Sequence, residues 1–146
     1  MAKTRILVCA MALLGAASHA ADGRTKIRSL DVTPGRRVEI ARTADDYISF
    51  PDVCLTRGGR LICVYRVADK HVATRSRMEV KTSDDLGKTW SAPLTLSPKH
   101  GHCPRFTVLH SGEVLLITDS SPVRGAVYRS SDQGRSWSGP VPTGFK

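Results

Sequence analysis

The chain carries 22 Lys and Arg against 13 Asp and Glu over 146 residues, a formal net charge of +9. A net positive field raises the local concentration of anions such as acidic glycans, although scattered Lys and Arg are also the ordinary solvated surface. No basic run is interleaved with aromatics, which argues against a nucleic-acid partner, and the absence of Asn excludes N-glycosylation.

The first twenty residues read as an export signal. Lys3 and Arg5 form a basic start, Ile6 to Leu14 an apolar core, and Ser18-His19-Ala20 a small-residue cleavage site. The apolar run is too short to span a bilayer as a helix, and no later segment qualifies, so no membrane association is expected after cleavage. The alternative is an ordinary buried N-terminal helix. Cleavage after Ala20 gives a secreted or periplasmic chain and lowers the charge to +7 by removing Lys3 and Arg5. Residues 21–50 then form an N-terminal segment with short strand-like pieces around a Pro34-Gly35 turn.

From Pro51 the sequence reads apolar, turn, apolar, up to Tyr65. If Gly58-Gly59 is a two-residue hairpin turn, Cys54 faces Cys63. Either a cross-strand disulfide, which export permits, or two reduced, buried thiols acting as small hydrophobes fits that placement. Cys103 has no evident partner. A third strand is expected at Met78 to Thr82. The same layout returns from Pro104 to Ile117 with Ser111-Gly112 as the turn, and again at Gly125 to Arg129. The strands Leu61 to Tyr65 and Val114 to Ile117 are almost wholly apolar, as in sheets covered on both faces.

Each third strand runs into one eight-residue pattern: Ser83-Asp84-Asp85-Leu86-Gly87-Lys88-Thr89-Trp90, then Ser130-Ser131-Asp132-Gln133-Gly134-Arg135-Ser136-Trp137. Ser and Asp side chains can close a turn by bonding nearby backbone groups, the glycine supplies positive φ, and the Trp offers a large apolar surface where a fourth strand begins. A repeat of this period matches one four-stranded propeller blade. The spacing predicts an all-β chain with two blades, at about 51–96 and 104–142. From turn glycine to box serine the first copy is six residues longer than the second, and the extra length is expected in a loop around Val67 to Arg75. Added loop length in a repeat tends to mark a binding face.

The pattern resembles the Asp-box of the sialidase, or BNR-repeat, family. That resemblance implies a six-bladed β-propeller of the sialidase type, of which about two blades are present here, with the remaining blades coming from a longer chain or an assembly. It implies an exported sialidase-like glycoside hydrolase, of which this is the N-terminal part, acting on terminal acidic sugars of glycans. A non-catalytic Asp-box propeller binding glycans or proteins, or a truncated inactive product, is the alternative. Sialidases hold a carboxylate with three arginines, use a tyrosine nucleophile activated by a glutamate in place of a second carboxylate, and use an aspartate as acid/base. In this chain the first arginine's position is Ser49, and Arg77 falls near the aspartate's position. Asp69, the sole acidic residue of the long loop, is the candidate acid/base. The tyrosine, its glutamate and the later arginines would come from further blades.

Asp52 and Arg105 follow the equivalent prolines on the innermost strands, and Arg66 ends an apolar strand at the mouth of the long loop. These three are the candidate substrate-binding residues. For the two arginines, solvation or ion pairing is the competing role. His100 and His102 flank Gly101 as loop residues, and Asp119 is a turn former or a ligand. No cofactor and no metal are expected: the cysteines and histidines lack metal-type spacing, and Asp84-Asp85-Leu86-Gly87 lacks the alternating ligands of a calcium loop.

Overall fold

A computed structural model describes residues 7–9, 37–119 and 125–144. Of the stretch read as an export signal only Leu7–Cys9 falls in that range; it forms strand β1, paired antiparallel with β2, Arg37–Glu39. The Ala20 cleavage position and the Pro34-Gly35 turn lie outside the described residues.

Eight further strands build two antiparallel sheets. The first is β3 (Tyr47–Leu55), β4 (Leu61–Ala68), β5 (Ser76–Ser83) and β6 (Leu94–Ser97). The second is β7 (Arg105–Val108), β8 (Val114–Thr118), β9 (Ala126–Ser130) and β10 (Ser138–Pro142). Each sheet runs in simple chain order, so the chain is all-β and forms two propeller blades. The innermost strands β3 and β7 lie side by side, tied by the Phe106 amide donating to Asp52 Oδ2 at 2.8 Å. Among the described residues no helix is long and apolar enough to cross a membrane.

Side chains alternate across a strand, and this decides how the blades meet. One face of the first blade carries Ile62, Val64, Met78 and Val80, all buried, against Val114, Leu116, Ala126 and Tyr128 of the second. Phe106 stacks on Trp137 at the margin of the same core, with ring centroids 6.1 Å apart. The opposite face of the first blade holds Ile48, Cys63, Tyr65 and Val67, and residues Ile40 and Ala41 cover it together with Trp90. Burying each such aliphatic side chain is worth about 1.5–3 kcal/mol, so the interblade core and this strap both contribute substantially.

Three expectations change. The β3–β4 hairpin is closed by Thr56 and Arg60 and not by a two-residue loop: the Thr56 amide donates to the Arg60 carbonyl at 2.8 Å, with Gly59 at φ 85°. An αL glycine after a turn adds one residue to the loop, and a one-residue slip flips every side chain. Cys54 therefore faces Ile62, Cys63 faces Val53, and the two thiols join opposite cores as free cysteines. The six extra residues of the first blade do not lengthen a loop. β4 and β5 are eight residues each where β8 and β9 are five, so the hairpin gains three residue pairs. Finally, β6 begins four residues after Trp90. Ser91 still bonds Thr82, but Pro93 has no amide to donate, and regular pairing starts only beyond it.

The two boxes have one geometry. Ser83 Oγ accepts from the Gly87 amide at 2.8 Å and donates to Asp85, whose carboxylate takes the Thr89 amide and hydroxyl at 2.9 and 2.6 Å. Ser130, Gly134, Asp132 and Ser136 repeat this at 2.7, 2.9 and 2.5 Å. The second box also locks the blades together. Thr56 Oγ1 reaches Gln133 at 3.2 Å, and a Cβ on Gly134 would lie 2.6 Å from Ile62 Cδ1.

Candidate functional site

The sheet ends differ in chemistry. Both Asp-boxes and both inner hairpins lie at one end. The other carries the starts of β3 and β7, the ends of β4 and β8, and the loop before β7. Two non-glycine residues there have positive φ, Phe50 at 51° and Cys103 at 45°, each just before the proline of an inner strand. The left-handed region costs an L-residue roughly 1–2 kcal/mol, so the surroundings must hold both. The Phe50 ring meets His102 edge-on at 4.7 Å and lies 5.7 Å below the Arg66 guanidinium. The His102 carbonyl accepts from Thr118 Oγ1 at 2.9 Å and the Asp119 amide at 3.3 Å, pinning the loop to β8.

Each residue singled out from the sequence has a defined place. Asp69 opens the loop that joins β4 to β5, its amide bonded to the Arg75 carbonyl at 3.3 Å. Its carboxylate accepts from the Thr74 hydroxyl and from the Thr74, Lys70 and Arg75 amides. These bonds, the Thr74 hydroxyl foremost, hold it down at about 2. Asp52 is engaged by the Phe106 amide. Arg105 is exposed on β7 and donates to the Pro104 carbonyl at 2.7 Å. Arg66 is 4% exposed and donates from Nη1 to the His71 carbonyl at 3.2 Å, while its Nε has no partner. Among the described residues no carboxylate pairs with it. Asp69 makes no direct hydrogen bond to Asp52, Arg66 or Arg105; its partners are those of its own loop.

Other residues join the site that sequence reasoning left as loop. His71 meets Tyr47 Oη at 3.1 Å and His102 meets Asp119 at 2.8 Å. Phe50 and Cys103 are equivalent under the repeat offset that relates Pro51 to Pro104, and that offset was the signal that could have found them. Desolvation first, then Asp119, pushes the Cys103 thiol up, while Arg105 and Arg66 pull it the other way. On the outer side of the same end a cavity of about 420 Å³ is flanked by Arg75, Arg77, Lys99 and His100. Two of those cations are already paired, Arg75 with Asp46 at 3.1 Å and Arg77 with Glu79 at 2.6 Å.

Two four-stranded blades related by one repeat place the described residues in the β-propeller fold. A solved structure agrees on the fold. A Dyadobacter fermentans protein of unknown function is similar with a TM-score of 0.56 and 24% identity, covering 70% of this chain and 38% of that one. A Hadza microbial sialidase is similar with a TM-score of 0.49 and 16% identity, covering 64% and 24%. This chain thus spans well under half the length of either protein. No protein-family model matches it, and no curated protein does either.

Proposed function

We propose that this chain is the N-terminal part of an exported sialidase-like protein acting on terminal acidic sugars of glycans, and that its own residues supply recognition of the acidic group. The observation that carries this reading is Arg66. A guanidinium removed from water needs a compensating charge, and this one faces a carbonyl and an aromatic ring in place of a carboxylate. A sugar carboxylate would complete it through charge-assisted bonds, with Arg105 as a second, exposed cation at the same end. Proton transfer is assigned elsewhere, because Asp69 is committed to its own loop. A tyrosine nucleophile with its glutamate would lie on further blades.

The test is calorimetric binding of a terminal sialoside and of its neutral methyl ester to the full chain and to Arg66→Met. A charge-assisted bond is worth about 1.5–3 kcal/mol. The acid should therefore bind at least tenfold tighter than the ester, and Arg66→Met should remove that preference. Equal affinity for acid and ester, or an unchanged preference in the variant, refutes the reading.

A further inference from the structure

We propose that His102 and Cys103 form a binding site for a borderline-soft divalent cation such as Zn2+, with Asp119 positioning the imidazole. The fold brings together one donor atom from each of the three residues, all within 4.8 Å of one another, although Asp119 is remote in sequence. Both oxygens of the Asp119 carboxylate lie on His102 Nδ1, at 2.8 and 2.9 Å. An ionised carboxylate only accepts, so Nδ1 carries a proton and Nε2 is the nitrogen left to bind a metal. Nε2 lies 3.9 Å from Cys103 Sγ. Zinc bonds to nitrogen and sulfur at tetrahedral angles hold those donors roughly 3.6 Å apart, close to the separation here, and a turn of the Cys103 side chain toward the Nε2 lone pair would complete the pair. A carboxylate on the far ring nitrogen is the arrangement that fixes tautomer and orientation for a histidine bound to metal.

The surroundings hold the pair in place. The His102 carbonyl is bonded twice to the end of β8, the imidazole packs on Phe50, and Pro104 fixes the chain immediately after Cys103 and is itself fully buried. The other described thiols are unsuited to the task. Cys54 and Cys63 lie in the two cores, where desolvation pushes both up to about 12. Cys103 is partly exposed, and the side chains of His102 and Asp119 keep 42% and 55% of their surface, leaving room for water or a ligand at the remaining coordination positions. Binding releases the thiol proton to solvent, and the imidazole ligates through Nε2 with its proton on Nδ1. Thiolate and imidazole donors favour zinc or cobalt over magnesium.

The experiment titrates Co2+ into tag-free, reduced full chain and follows the thiolate-to-cobalt charge-transfer absorption. One equivalent should bind, zinc should displace it, and excess Mg2+ should not. Cys103→Ser and His102→Ala should abolish the band. Asp119→Asn should weaken binding about 10–100-fold and leave the band's energy unchanged. His100→Gln, a neighbouring loop histidine outside the cluster, should bind as the parent does. No band in the parent, or a band that survives in Cys103→Ser, overturns the site. Since Asp119→Asn keeps both ligands, it remains informative if the Cys103 variant misfolds: parental affinity there would remove Asp119 from the site. The readout contains no sugar, so it stands or falls apart from glycan recognition.

Discussion

Each Asp-box turn depends on a buried serine hydroxyl. Ser130 is 2% exposed and its Oγ is the acceptor for the Gly134 amide at 2.7 Å. Ser130→Ala leaves that amide without a partner, at a cost of about 1–3 kcal/mol, read as a lower denaturant midpoint. The neighbouring carboxylates set the acid limit. Asp85 and Asp132 are held at about 2 from an ordinary 3.8, first by the hydroxyls of Thr89 and Ser136. A depressed folded value means stability that is complete above 3.8 and lost as pH falls toward 2, so tryptophan fluorescence should report unfolding inside that window. Ser130→Ala, which removes a donor to Asp132, should move the midpoint upward; a midpoint that does not move would mean the boxes are not what acid breaks. Arg66 behaves oppositely. Replacing an unpaired buried guanidinium by an apolar side chain of similar length removes a desolvation cost, so Arg66→Met should leave stability unchanged or raise it by roughly 1 kcal/mol. A loss above about 2 kcal/mol in urea would instead make the bond to the His71 carbonyl structural.

The strands and turns show where a sequence pattern is sufficient and where it is not. The Ser-x-Asp-x-Gly-x-Thr/Ser-Trp pattern encodes its own hydrogen bonds, so both boxes, and the blade count with them, were readable from the residues alone. Register was not. Gly58-Gly59 fits a two-residue turn as well as a longer one, and only the pairing of Thr56 with Arg60 decides between them. The approach of Asp119 to His102 was likewise hidden, because it depends on how the loop before β7 folds back onto β8. Two glycines separate local strain from packing. Gly59 has φ 85° with nothing within 4 Å of a built Cβ, whereas Gly134 has φ 80° and meets Ile62 at 2.6 Å. Gly59→Ala should cost about 1–2 kcal/mol from the backbone alone. Gly134→Ala should cost clearly more, because it also wedges the box out of the neighbouring blade. Equal losses in thermal unfolding would show that the box tip does not hold the blades together. The strap is held more weakly. Arg77 bridges Asp46 at 3.4 Å and Glu79 at 2.6 Å, and the Lys81 ammonium donates to the Ile40 carbonyl at 2.8 Å. With Arg77 one-third exposed, pairs of this kind are worth at most about 1 kcal/mol each. The apolar cover from Ile40 and Ala41 is the larger contribution.

At the scale of the whole molecule the blades stack with a direction. Ile62, Val64 and Val80 of the first blade face the second and are at most 1% exposed. Their repeat equivalents in the second blade are Leu115, Ile117 and Val127, which share the face pointing away from the first blade. Leu115 and Val127 are only half-buried, Ile117 is 43% exposed, and Val141 beside them on β10 is 55% exposed. At the other end of the stack, the corresponding face of the first blade is covered by Ile40 and Ala41. One end is therefore capped, and the other presents a face with the same pattern as the one already buried between the blades. Adjacent residues allow a direct measurement. In this chain Leu116→Ala, on the buried face, should cost about 2–5 kcal/mol. Ile117→Ala, one position along and on the open face, should stay within roughly 0.5 kcal/mol. In any longer protein or assembly where another blade continues the stack, Ile117 would take the environment of Val64, and its truncation should then cost on the order of 1–3 kcal/mol. A near-neutral Ile117→Ala in such a protein would mean that the next blade does not dock on this face and that the stacking direction fails beyond the second blade.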